Sequence, residues 1–275
     1  MTESEHRWRI KKAARKAVVL GSFASSSIAL RRLTGKSRIR VLTFHRFGHA
    51  ERDPWCVAPK VFDQQMRWLA EDRRAVSLDD VLRFTRGELE LAEGSVLVTM
   101  DDGFESVLST AAPILRRYGI PAVAYITTQA IGNAEAGKGA GEPFLTWKQV
   151  ADLSASGVTI GSHGHTHRSM GGLDPHEARE EGRASKRLIE VHLGKAVTSY
   201  AYPFGMRDDE SPTTAKILAE CGYSSVFISQ HGTVQQGANP LRLPRIKVEA
   251  GEPLWMFKLL CKGGMDAWSL ADKLL

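Results

Sequence analysis

Three histidines within five residues, His163, His165 and His167, and one adjacent pair of acids, Asp101 and Asp102, are the groups of this chain best suited to chemistry. Neither cluster is a natural packing solution. Each imidazole brings polar nitrogens that need partners, and adjacent carboxylates at a buried strand end repel unless a cation relieves them. Asp-Asp-Gly by itself is also a common strand-to-helix turn in which one Asp caps the helix. In an extended backbone positions i, i+2 and i+4 share a face; in a helical one i and i+4 do. His163 and His167 can point together in both cases, and imidazole is a favoured zinc ligand. Two histidines and one carboxylate make a three-ligand site with a position open for water, whose pKa the ion lowers towards 7 while it polarises a carbonyl. A second carboxylate can take the water's proton, and an imidazole such as His45 suits proton donation to a leaving amine. A backbone N–H in the turn Pro203-Phe204-Gly205 could face the tetrahedral oxyanion. Assembled, these parts predict metal-assisted hydrolysis of an amide or ester.

The elements that must position these groups alternate short β-branched runs with helical stretches. Strands are expected at 39–44, 96–100, 122–127, 158–161, 197–202 and 224–228, and helices at 59–71, 106–118, 146–154, 175–193 and 211–220. Single helices between strands imply a parallel sheet with right-handed crossovers. One barrel-like catalytic domain is the economical reading, with its chemistry where strands end and loops begin. His45, Asp101, Asp102, the three histidines and Pro203-Phe204-Gly205 all fall at such ends.

The charge is unevenly placed. Of 37 Lys and Arg, eleven lie in residues 1–40 with only Glu3 and Glu5 against them, which leaves the remaining 235 residues with 26 cationic and 29 anionic side chains. A nearly neutral body argues against nucleic acid as a partner. The basic head, Arg7 to Lys16, precedes a mildly apolar, serine-diluted stretch from Ala17 to Leu30. It reads as a packed or solvated helix, as a helix on an anionic membrane through residues 7–32, or as a cleavable signal. The diluting serines point to a cytoplasmic or membrane-associated protein rather than a secreted one. No apolar run is long enough to span a bilayer. Cys56, Cys221 and Cys261 form no paired spacing and read as free thiols.

Three segments, taken in order, resemble the motifs of polysaccharide deacetylases, the NodB-homology or carbohydrate esterase family 4 domain. Thr99-Met100-Asp101-Asp102-Gly103 is similar to the TFDDG motif, Ser162 to His167 to the second, and Tyr202-Pro203-Phe204-Gly205 to the third. The resemblance implies a distorted (β/α)7 barrel over residues 38–250, after a leader at 1–37 and before a C-terminal helical extension at 251–275. It implies removal of N-acetyl groups from an N-acetylglucosamine-type polysaccharide, oligosaccharide or lipid-linked precursor. Asp101 becomes the base, Asp102, His163 and His167 the metal ligands, and the Phe204 N–H the oxyanion donor; His165 falls at a variable family position. Zinc is the default ion, with cobalt, nickel or iron accepted by the same ligand set. Two features depart from the pattern. Ala201 stands where many members carry an arginine that contacts the base, and the region of Leu241 to Arg245 holds no histidine where many carry the acid. In the similar exopolysaccharide (poly-N-acetylglucosamine) deacetylase subgroup a histidine ending the first strand is thought to serve as acid, and here that place is His45. Arg245 would contact Asp101 or substrate, or close the barrel through an ion pair. Trp147 would pave a sugar subsite or steady the core, and Tyr202 would touch substrate or support the ligands. An O-acetyl esterase and a non-catalytic glycan-binding barrel are the alternative functions.

Overall fold

The computed structural model describes residues 13–21, 37–50, 53–133, 142–266 and 268. Its strands are β1 (Arg40–Phe44), β2 (Arg46–Phe47), β3 (Cys56–Val57), β4 (Val96–Met100), β5 (Ala122–Ile126), β6 (Thr159–Ser162), β7 (Ser199–Ala201), β8 (Ser225–Phe227) and β9 (Ile246–Lys247). Seven of them form one parallel sheet in the order β8-β7-β6-β5-β4-β1-β9, while β2 and β3 pair apart from it. The helices are α1 (Pro59–Glu71), α2 (Leu78–Thr85), α3 (Ala112–Tyr118, entered through a π-helical turn at Val107–Ala111), α4 (Trp147–Ala155), α5 (Pro175–Leu193), α6 (Pro212–Glu220) and α7 (Leu254–Cys261).

Parity along the strands divides the interior in two. In β4, Val96, Val98 and Met100 face the helices, whereas Leu97 points into the barrel with Val41, Val123, Tyr125, Phe227 and Leu243. Both faces are covered, so the strands read as continuous apolar runs. Each fully buried Leu, Val or Phe contributes roughly 1.5–3 kcal/mol. Helix α2 adds Leu78, Val81 and Phe84 to the inner cluster. It was not anticipated from the sequence, although Ser77 and Asp80 form a reciprocal cap at its start; eight residues give too few turns for a clear periodic signal.

The sheet curls until one stretch of backbone bridges its two ends. Leu243 N–H donates to Val226 and its carbonyl accepts from Ile228. A few residues later Ile246 and Lys247 pair with Leu42 and Thr43 of β1. Residues 243–247 thus close a distorted (β/α)7 barrel, and they carry Arg245 to its inside.

Helix ends follow their chemistry. The long helix α5 starts with Asp174 accepting from the N–H groups of His176 and Glu177, has Pro175 in its first turn, and stops at Gly194 in the left-handed region. Of the leader, residues 1–12 and 22–36 lie outside the described residues. Residues 13–21 are helical, with Val19 in the large core cluster and Arg15 buried in ion pairs with Glu249 and Glu252. Among the described residues no helix is long and apolar enough to cross a membrane.

Candidate active site

Strand parity aims Asp101 into the top of the barrel, one step beyond Met100, where its N–H donates to Phe44. Asp102 then turns the chain sharply at φ 73°, followed by Gly103 at φ 87°. A side chain at Gly103 would press on Ile131 and Ile126 at 3.1–3.2 Å, so that position requires glycine. Among the described residues, the non-glycine positions with positive φ are Arg73, Asp102, His167 and Phe204. Three of these four stand together at one end of the barrel. Such conformations cost ~1–3 kcal/mol each and persist where the surroundings enforce them.

Asp102 faces both outer histidines of the triplet. Its Oδ1 lies 3.4 Å from His163 Nε2 and 3.3 Å from His167 Nε2. These separations fit a shared ion: ligands at roughly 2.0–2.1 Å in tetrahedral array stand about 3.3–3.4 Å apart. His163 Nδ1–H donates to the carbonyl of Ala201 at 2.8 Å, which leaves Nε2 bare for a metal. The charges agree. Burial pushes the Asp102 carboxyl up, but the His163 and His167 imidazoles beside it hold it well below the usual carboxylate range. Burial likewise pulls His163 down, yet Asp101 and Asp102 raise it overall. Two acids this enclosed call for positive charge, and the donor set of one carboxylate and two imidazoles suits a divalent ion.

Asp101 has a different partner. Arg245 Nη1 donates to its Oδ1 at 2.7 Å, with both side chains buried. The guanidinium is held by the carbonyl of Ile228 at 3.2 Å, by Ser229 Oγ at 3.2 Å and by Thr99 Oγ1 at 3.4 Å. Burial pushes the Asp101 carboxyl up, and Arg245, with His163 and His45, brings it net below its ordinary value. A cation from the closing strand therefore stands beside the acid that Ala201, small and inward-facing, does not reach. Asp101 Oδ2 faces His163 Nε2 at 3.9 Å.

A cleft of about 320 Å³ opens over these groups, lined by His45, Trp55, Asp101, Asp102, His167 and Phe204 among others. The His45 ring lies 4.6 Å from Trp55, and its Nδ1 is enclosed without a partner. Burial lowers its pKa more than Asp102 and Asp101 raise it, so the resting ring is neutral. The Phe204 and His167 rings meet edge to face, with their centres 5.0 Å apart. The left-handed turn of Phe204 is pinned from behind, where Ser229 N–H donates to Gly205 at 2.7 Å. A second cleft, also about 320 Å³, lies across Asp102 and His167 and is lined by Thr127, Gln129, Asn133, Phe144 and Thr166. A larger groove of about 970 Å³ runs along α5, but it gathers no acid with the histidine pair and carries no comparable chemistry.

Some expected residues stay outside. Tyr202 is buried on the helix side of β7, with its hydroxyl bonded to Thr214 of α6 at 3.0 Å, and lines neither cleft. Trp147 stacks on His192 at 4.0 Å in the helical layer. His165, not expected among the ligands, turns away from the cluster, its Nδ1 bonded to Thr128 Oγ1 at 2.9 Å. Several cleft residues went unanticipated, among them Ser229 just beyond β8 and Lys247 in β9. Their only available signal was a strand end, and β9 is too short to announce itself.

The polysaccharide deacetylase family profile matches residues 89–226. YxkH of Bacillus subtilis is 25% identical over 244 residues, covering 88% of this chain and 82% of that protein. The poly-beta-1,6-N-acetyl-D-glucosamine N-deacetylase of Staphylococcus epidermidis is 26% identical over 73% of this chain and 71% of its own. Among solved structures, IcaB from Ammonifex degensii superposes with a TM-score of 0.70 at 24% identity, covering 85% of this chain and 97% of that one. The Streptococcus pyogenes deacetylase PplD, in complex with acetate, gives the same TM-score at 22% identity, with 81% and 97% covered. These two likenesses support the barrel itself.

Proposed function

Because this chain belongs to the polysaccharide deacetylase family, we propose that it is a metal-dependent hydrolase that removes N-acetyl groups from poly-N-acetylglucosamine-type polysaccharide or its lipid-linked precursor. The observation that carries this reading is the pair of unlike acids: Asp102 against two imidazoles at 3.3–3.4 Å, and Asp101 against Arg245 at 2.7 Å. Asp102, His163 and His167 would hold the ion, zinc by default. Once bound, it would polarise the acetyl carbonyl and make water more acidic.

The remaining work belongs to the chain. Asp101, kept ionised by Arg245, takes a proton from the attacking water at its free oxygen. In the same cleft, the N–H of Phe204 is available to the oxyanion: among the described residues no backbone carbonyl accepts from it. His45 is the donor to the leaving amine. The ring, neutral at rest, takes up the proton that Asp101 has drawn from the water and passes it to the amine from the imidazolium, returning to the neutral form.

Two finer parts complete the reading. The amide preference rests on the Staphylococcus epidermidis relative, an N-deacetylase by name. The leader is proposed to bring the enzyme to anionic membrane surfaces through residues 7–32, although Arg15 is used inside the protein, on Glu249 and Glu252. Acetate release from N-acetylglucosamine oligomers and from acetylated xylan, before and after chelation and zinc return, tests the proposal. Release from the amino-sugar oligomers that chelation stops and zinc restores is the expected result. Activity on xylan alone would make the protein an esterase, and chelator-resistant release would remove the metal.

A further inference from the structure

We propose that Glu181 is a positioning residue for the metal centre, shaping the loop between the two histidine ligands without touching the ion. Glu181 lies on α5, outside the three sequence motifs, and is buried. Its Oε2 accepts the N–H groups of His165 at 2.8 Å and Thr166 at 2.9 Å. Its Oε1 accepts the Thr166 hydroxyl at 2.6 Å. Among the described residues no lysine or arginine forms an ion pair with it. A buried carboxylate without a cation must be stabilised by donors, and here all three come from residues 165 and 166.

The dependence is mutual. The loop leaves β6 through Gly164 at φ 81° and ends at His167 at φ 62°, two left-handed residues around a chain of three peptide units. A side chain at Gly164 would come within 3.2 Å of the Tyr200 hydroxyl and 3.3 Å of Glu181 Oε2, so the turn seats closely against the helix. One helical turn after Glu181, Ser185 contacts Ser162, whose Oγ accepts the N–H of Gly164 at 3.2 Å. One face of α5 therefore grips the loop at its start and at its middle. The opposite side is pinned by the N–H groups of Thr128 and Gln129, which donate to Gly164 and His165. Without Glu181 the loop keeps that second support but loses what turns it towards His167, whose Nε2 must stay 3.3 Å from Asp102 to share an ion. Groups that orient ligands in this way typically change metal affinity by about 10–100-fold.

The inference rests on the metal-binding reading of Asp102, His163 and His167, and its test separates the two. The full chain, stripped of metal, is titrated with zinc against a chromophoric chelator, with circular dichroism confirming the fold. Glu181→Ala is expected to weaken zinc binding by about 10–100-fold, with kcat falling more than KM rises. Glu181→Gln should stay near wild type: its amide oxygen can accept both N–H groups, and its NH2 can donate to the Thr166 hydroxyl. A folded Ala variant with wild-type affinity would overturn the proposal, as would a Gln variant as weak as Ala. Should the Ala variant not fold, Thr166→Val decides, since it deletes only the hydroxyl bond. Weaker zinc binding then supports the role and unchanged binding refutes it. A wild-type chain that takes up no zinc removes the metal reading itself.

Discussion

Asp101 and Asp102 are consecutive, yet each belongs to a different region of the molecule. Asp101 stands on the closing side of the barrel, where the seam between β8 and β1 delivers Arg245 and Ser229. Asp102 stands on the loop side, where His163 and His167 approach over a turn braced by α5. A guanidinium holds one acid ionised, while two imidazoles prepare the other for an ion. The difference teaches that the partner, rather than the acid, decides the role. One carboxylate is left able to take a proton because its neighbour is committed elsewhere.

The strongest way to break this comparison is to neutralise one acid at a time. Asp101→Asn should lower kcat by about 10²–10⁴-fold, the usual worth of a positioned base, while metal analysis finds the ion retained. Near-full activity in this variant would mean that the two acids are not specialised. Next in size, His45→Ala should reduce kcat by about a hundredfold and leave zinc content unchanged; an unaltered rate would give proton donation to another group.

Arg245→Gln sharpens the comparison through pH. The base works deprotonated, and Arg245 is the chief influence lowering the Asp101 pKa against burial. Its removal raises that pKa, so the acidic limb of kcat/KM should move to higher pH. A limb that stays in place would uncouple Arg245 from the base. The smallest effect is expected at Tyr202→Phe, which deletes only the hydrogen bond to Thr214. It should cost ~1 kcal/mol in denaturant unfolding with activity intact; a loss of activity would return Tyr202 to the site.

These expectations also mark what was readable in advance. The strand ends were legible because parallel strands buried on both faces are short apolar runs, and Val96 to Met100 is one. The gathering of His163 and His167 at Asp102 was expected from their spacing, although the turn that achieves it, left-handed at Gly164 and His167, is neither of the regular backbones considered. The cation beside Asp101 was legible only as one of the options open to Arg245, since it reaches the acid from 144 residues away across a seam that only the closed barrel creates. Tyr202 misled through adjacency to Pro203: one step of strand parity separates a residue facing the helices from the turn that faces the cleft. Glu181 had no signature, because acids are common on a charged helix and its partners are backbone N–H groups.

The specialisation of the two acids requires a metal gripped by Asp102, His163 and His167 and not by Asp101. Zinc-edge X-ray absorption of the zinc-loaded chain and its variants tests it most directly. Two imidazole nitrogens and a carboxylate oxygen at about 2.0–2.2 Å, preserved in Asp101→Asn and lost in His163→Ala, is the predicted result. A shell without imidazole, or zinc lost from Asp101→Asn, would contradict it.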